Sequence, residues 1–171
     1  HTGRKMRPHP ERNVALVTGG SGQIGQAICR RLGHDGYRIV LLDVNAAVHA
    51  SARALRDMSI DARAVELDIT DSEAVDGLPG HVGDWWPDIS VLVNNAGISP
   101  KTDGRKRLVC DMPLDEWNRV MAVNLTGMFL ITRACLKAMS QSDWGRIVMI
   151  ASQAARTRTA VPGAHYQASK A

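Results

Sequence analysis

The sequence predicts an α/β fold, a doubly wound parallel sheet held in three layers, αβα. Three observations predict it. Short apolar runs without polar alternation, the signature of strands covered on both faces, take turns with helical patterns along the whole chain. A glycine-rich turn, TGGSGQIG, joins the first run to the first helix. The composition, 44% apolar and 22% charged over 171 residues, suits one domain with a real core.

The elements follow in order. NVALVTGG gives a first strand over Val14–Thr18. QIGQAICRRL repeats apolar residues at Ile24, Ala27, Ile28 and Leu32, one helix face, and Gly33 and Gly36 are expected to end it. YRIVLLD is the second strand; NAAVHASARALRDM is a helix with Asn45 as its N-cap; DARAVELD is the third strand. TDSEAVDGLPGHVGDWWPD opens like a capped helix, Thr70 with Glu73, and Gly77, Pro79, Gly80 and Gly83 should break it. ISVLVNNAG is the fourth strand. A polar, basic loop fills 98–113. Pro113 then opens a long helix to about Met139, with Asp115 and Glu116 near its positive end. GRIVMIAS is the fifth strand, and a turn at Pro162–Gly163 leads into a last helix near Ala164.

Charge and cysteines exclude several classes. The net charge is +4, but residues 1–12 hold Arg4, Lys5, Arg7 and Arg12 against Glu11, which leaves +1 for the rest. That stretch reads as a flexible basic tail or an appended remnant, and 13–171 as the folded domain. No nucleic-acid partner is expected, because the folded body carries no basic cluster. No apolar run is expected to span a membrane, and no signal-peptide pattern is read. Cys29, Cys110 and Cys135 are odd in number and far apart, and the six histidines lack ligand spacing; a reducing cytoplasm and no metal site are expected.

The chemistry is concentrated in a few places. Glycines in the first turn let the backbone approach a pyrophosphate, to which the following helix offers free N–H groups and a positive dipole. Asp43 closes the second strand, where an acid accepts from a ribose and repels a 2′-phosphate, favouring NAD over NADP. The bland alternative is a structural glycine turn with a capping Asp. Tyr166 and Lys170 stand four apart, on one helix face, where the ammonium would favour the phenolate and make the phenol a proton donor and acceptor. With two tyrosines and five lysines, such a pair arises in roughly 6% of shuffled chains, so alone it does not exclude a surface pair. NNAG at 94–97 sits at the ligand-binding edge of the sheet. Asn124 lies mid-helix in an apolar stretch, which is costly unless the amide has partners.

In this order the pieces resemble the short-chain dehydrogenase/reductase family in its single-domain, Rossmann-like type, over Asn13 to Ala171. The resemblance implies cofactor contacts at Gly19, Ser21, Gln23, Ile24, Gly25, Asp43, Asp68, Ile69, Asn95, Ala96 and Gly97, with Tyr166 and Lys170 also touching the cofactor. It implies a catalytic tetrad of Asn124, Ser152, Tyr166 and Lys170. Hydride would pass between NAD(H) and a carbonyl or secondary alcohol carbon while Tyr166 exchanges the proton. Ser152 would orient the oxygen, Lys170 would bind the nicotinamide ribose, and Asn124 would anchor a water leading to solvent.

The chain departs from the family in three ways. Gln23 stands where the single-domain glycine pattern has glycine and should narrow the phosphate approach; the spacing as it stands fits the extended, epimerase-like branch. Ser152 lies one residue further from Tyr166 than is common in the family. The chain ends one residue after Lys170, so the family's further strands and substrate lid are absent and the sheet is expected to be incomplete at its C-terminus. A non-catalytic nucleotide-binding module of the same fold is the alternative function, and an epimerase or dehydratase a third. Lys101, Arg105, Lys106, Arg107, Arg156 and Arg158 would attract an anionic substrate or be ordinary solvated charge. A homo-oligomer, dimer or tetramer, is implied through the long helices.

Overall fold

A computed structural model of the chain describes residues 12–101, 104–157 and 163–171. Residues 1–11 lie outside the described residues, as do Arg158 and the Pro162 of the expected turn. Five strands, β1 (Val14–Thr18), β2 (Arg38–Asp43), β3 (Ala62–Glu66), β4 (Ile89–Asn94) and β5 (Arg146–Met149), form one sheet in the order β3-β2-β1-β4-β5. Every pairing is parallel. This is the Rossmann-like architecture, and the strand order reverses direction between β1 and β4.

The pleat divides the apolar runs between two cores. Val14, Leu16, Val40 and Leu42 face one side, while Ala15, Val17, Ile39 and Leu41 face the other. β4 keeps this division with one extra residue. Val14 pairs with Ile89 and Ala15 with Val91, so Ser90 is a bulge, and its hydroxyl donates to the Arg12 carbonyl at 3.0 Å. Ile89 and Leu92 therefore share a face although they are three apart.

Helices α1 (Gln23–His34) and α2 (Ala47–Asp57) cover one side with Cys29, Leu32, Val48, Ala52 and Leu55. The other side takes α3 (Ser72–Asp76), α4 (Leu78–Val82), α5 (Leu114–Met121) and α6 (Met128–Met139). Leu16, Leu92 and Ile131 are fully buried there, each contributing about 1.5–3 kcal/mol. α7 (Ala164–Lys170) packs against α5 and the turn that joins α5 to α6.

Several boundaries differ from expectation, each for a physical reason. Gly33 does not end α1 but lies inside it, because a Cβ there would come within 2.4 Å of Ile60. The helix ends at His34 with Asp35 as its C-cap, and Gly36 just beyond it, at a φ of 97°, sends the Tyr37 N–H back to the Leu32 carbonyl. α2 begins one residue later than an Asn45 cap would place it, although Asn45 Oδ1 still accepts from the Ala47 N–H. Asp71, not Thr70, caps α3, taking the N–H groups of Glu73 and Ala74; Thr70 turns back onto Asp68. Pro113 is the N-cap of α5 rather than a first-turn residue.

The expected single helix to Met139 is α5 and α6 joined by a π-helical turn, Ala122–Gly127. This stretch, Leu114–Met139, has the length and apolarity of a membrane span, which the sequence reading did not anticipate. A core helix passes the same test, and here Leu130, Ile131, Ala134 and Cys135 are packed in the core beneath the sheet.

Candidate active site

A cavity of about 740 Å³ opens at the carboxyl ends of the strands, where their order reverses. All eleven cofactor residues outside α7 that the sequence points to line it: five from the glycine turn, Asp43, Asp68 and Ile69, and Asn95–Gly97. Its size is that of a small-molecule site. Arg119 and Val123, on the long helix, line it too and carry no sequence signal of their own.

The floor is built from backbone drawn close. A Cβ on Gly25 would lie 2.1 Å from the Gly19 carbonyl oxygen, and one on Gly19, at φ 65°, would meet Asn95 Nδ2 at 2.9 Å. Gly22 has no such constraint, its added Cβ reaching nothing nearer than 3.4 Å. The tight positions are thus 19, 25 and also 20, where a Cβ would lie 2.8 Å from the Leu41 Cβ, and Gln23, exposed on the first turn of α1, leaves that turn intact. Asp43 supports the turn from below: its Oδ2 accepts from the Ser21 N–H (3.0 Å) and hydroxyl (2.6 Å). Its Oδ1 also accepts from the Asn45 N–H at 3.1 Å, so of the roughly four acceptor directions of a carboxylate about one remains for a ligand hydroxyl. These features fit a dinucleotide, with the phosphates over the glycines and a ribose at Asp43.

The ends of β1 and β4 are stitched together beside this floor. Thr18 Oγ1 accepts from the Asn95 and Ala96 N–H groups, both at 3.0 Å, and Asn95 Nδ2 donates to the Thr18 and Gly19 carbonyls. The two asparagines of NNAG do different work. Asn94 points away and donates to Thr132 Oγ1 at 2.9 Å, tying β4 to α6.

Two of the four candidate catalytic residues, Asn124 and Lys170, converge on Gly97. A Cβ there would sit 3.4 Å from Asn124 Oδ1 and 3.5 Å from Lys170 Nζ. Asn124 is fully buried and fully used: Oδ1 accepts from the Ile98 N–H (2.8 Å), and Nδ2 donates to the Ile98 carbonyl (3.0 Å) and Ser169 Oγ (3.0 Å). It lies in the π-helical turn, an irregularity frequent at functional sites. Lys170 Nζ donates to the Ile150 carbonyl at 2.7 Å, just past β5, and burial pushes its ammonium below the usual lysine value.

Tyr166 is one helical turn before Lys170 on α7 and half-buried. Ser152 caps a short 3₁₀ turn, accepting from the Ala154 N–H at 3.2 Å, and that turn packs against α7. Of the basic residues, Arg107 is held by Glu116 at 3.3 Å and Arg158 lies outside the described residues. Sequence reasoning missed His165, which is fully buried and hydrogen-bonded to Glu116 at 3.1 Å; a histidine beside the tyrosine was the available signal.

Comparisons with known proteins give the chain's family and fold. A family model described as short chain dehydrogenase matches residues 13–171. A 3-oxoacyl-[acyl-carrier-protein] reductase of Synechocystis sp. is 37% identical over 161 residues, covering 92% of this chain and 62% of that protein. Among solved structures, a 3-oxoacyl-[acyl-carrier protein] reductase with bound NAD from Brucella melitensis superposes with a TM-score of 0.87 at 32% identity, over 97% of this chain and 63% of the other. An NAD⁺-bound xylitol dehydrogenase gives 0.83 at 34% identity, over 95% and 61%. The chain thus spans less than two thirds of the length of these relatives. Matched by that model from residue 13 to residue 171, the chain belongs to the short-chain dehydrogenase/reductase family.

Proposed function

We propose that this chain binds NAD(H) and carries the proton-transfer residues of an oxidoreductase that interconverts a carbonyl and a secondary alcohol. The observation that carries the reading is the meeting of Asn124, Gly97 and Lys170 at the edge of a cavity whose floor suits a dinucleotide. The bound nicotinamide would supply the hydride.

The chain's own residues supply the rest. Tyr166 gives its phenolic proton to the substrate oxygen in reduction and takes it back in oxidation. Lys170, a buried cation with only a carbonyl partner among the described residues, stabilises the phenolate and holds the nicotinamide ribose. Ser152 positions the substrate oxygen. Asn124 fixes the Ile98 peptide and, through a water, connects Lys170 with solvent. Residues 13–171 act as the dinucleotide-binding domain.

Asp43 favours NAD over NADP, since a 2′-phosphate would meet a carboxylate already seated beside the turn. Neighbours with bound NAD, and one with bound NADP at low occupancy, support a nicotinamide dinucleotide in this cavity, and the preference for NAD rests on Asp43 alone. The reductase relatives support a carbonyl substrate. Anionic groups on it would meet Lys101 and Arg105, Arg107 being committed to Glu116. An exposed apolar stripe of Leu125, Phe129 and Leu136 on the long helix supports assembly into a homo-oligomer. A reducing cytoplasm remains the expected setting.

The test is turnover with a panel of ketones and alcohols, set beside NADH and NADPH binding, on full-length protein and its Tyr166→Phe variant. The variant should lose 10²–10⁴-fold in kcat and keep its NADH affinity. Normal turnover by the variant ends the acid–base assignment. Binding with no turnover in either protein identifies a nucleotide-binding module instead, and NADPH binding tenfold tighter than NADH ends the NAD preference.

A further inference from the structure

We propose that Glu116 and His165 are positioning residues that set the backbone of Tyr166 and thereby aim its phenol at the substrate; the inference rests on the reading of Tyr166 as acid and base. It begins with an orphan donor. At the start of a helix the first N–H groups have no carbonyl one turn back. In α7, Gln167 N–H reaches the Gly163 carbonyl at 3.2 Å, whereas the Tyr166 N–H bonds to His165 Nδ1 at 2.7 Å.

That bond fixes the histidine. A ring nitrogen that accepts an N–H carries no proton, so the ring proton is on Nε2, which donates to Glu116 Oε1 at 3.1 Å. The other carboxylate oxygen, Oε2, accepts from Arg107 Nε at 3.3 Å, which anchors the acid from the loop side. The imidazole is fully buried, and a Cβ on Gly163 would fall 2.6 Å from its Cε1, so the ring fills space that any larger residue at 163 would take.

The other side of the same residue is tied as well. The Tyr166 carbonyl accepts from Ser169 Oγ at 2.9 Å, and that hydroxyl accepts from Asn124 Nδ2. Both polar groups of the tyrosine backbone are therefore connected to the long helix, one through Glu116 on α5 and one through Asn124 in the π turn. A leucine would fill the core at 165 as well as an imidazole does. Only a polar side chain can hold the N–H and so fix the angle at which the tyrosine leaves the helix. Displacements of about 1 Å at a reacting group can cost 10²-fold in rate.

The test compares Glu116→Gln, Glu116→Leu, His165→Asn and His165→Leu in full-length protein, with Tyr166→Phe alongside. Gln keeps an acceptor for Nε2–H, and Asn keeps an acceptor at the position of Nδ1. Glu116→Leu and His165→Leu should each lower kcat about tenfold or more, with KM and NADH affinity within about threefold. Glu116→Gln should retain kcat within about threefold, and His165→Asn should recover part of what His165→Leu loses. Unchanged kcat in both leucine variants overturns the proposal. So does a parallel fall of kcat, NADH affinity and thermal stability in all four, which would make the pair mere core filling. Full activity of Tyr166→Phe instead removes the function assigned to the tyrosine, an outcome that the His165 and Glu116 variants cannot mimic.

Discussion

The two halves of the candidate site are made of different material. The cavity floor between β1 and β3 is backbone: glycines 19 and 25 in contact, strand ends, and a single carboxylate beneath the turn. The half between β4 and α7 is side chain: Asn124 on the Ile98 peptide, Lys170 on the Ile150 carbonyl, His165 on Glu116. The first needs small residues close together in sequence, fastened by Asp43 and Asn95 from 22 and 76 positions away. The second needs bonds that cross 20, 26 and 49 positions of chain. The floor should therefore fail by losing its ligand, and the other half by losing its own structure.

Asn124→Leu should break the second half most. It leaves the half-buried Ile98 N–H and carbonyl without their amide and unties the buried Ser169. Two partly buried groups left unpaired cost about 2 kcal/mol, which at this chain length is a fall of about 4–8 °C in Tm. Calorimetry of the wild-type and variant proteins, with turnover measured in parallel, checks it. Stability kept while turnover is lost would mean that Asn124 serves the reaction alone, and the contrast between the halves would fail.

Gly25→Ala attacks the other half. The new methyl would overlap the Gly19 carbonyl by about 1 Å, so the turn must shift away from its phosphate-binding shape. NADH affinity should fall at least thirtyfold, about 2 kcal/mol, as read by quenching or energy transfer from protein fluorescence. Retained affinity would show that the phosphates do not sit on this turn.

The same division explains what the sequence made readable. Strands appeared as unbroken apolar runs because both faces of the sheet are covered, and the eleven cofactor residues named outside α7 all line the cavity because they sit in short local motifs, whereas Arg119 and Val123, which line it too, belong to none. The failures lie where a distant partner decides. Gly33 looked like a helix end, but it is glycine because Ile60 packs onto it. Thr70 matched a capping pattern and lost to Asp71, which reaches two N–H groups while Thr70 is held by Asp68. The π turn was invisible because nothing in VMAVNLTGMFLI distinguishes a six-residue bulge from a regular helix. Its Gly127, where a Cβ would come within 2.7 Å of Ile69, and its buried Asn124 make sense only against neighbours from elsewhere in the chain. His165 read as one more unremarkable histidine because Glu116 is 49 residues away.

The cysteines offer the smallest and sharpest comparison, since the floor side and the helix side each bury one. Cys29 lies on α1 and Cys135 on α6, on opposite faces of the sheet, and burial pushes both thiols up to about 12. At pH 8 roughly one in 10⁴ of either is thiolate, so a thiol reagent must wait for the protein to open. Cys110 is exposed and should react at once. β1 and β4 pair at the centre of the sheet and belong to both faces, so neither core can be exposed without disturbing the other. Cys29 and Cys135 should accordingly be modified together, at rates within about threefold, and far more slowly than Cys110. Peptide mapping after timed labelling gives the three rates separately. A much faster Cys29 would mean that α1 leaves the sheet alone, making the glycine turn the less stable half even though it is the more tightly built.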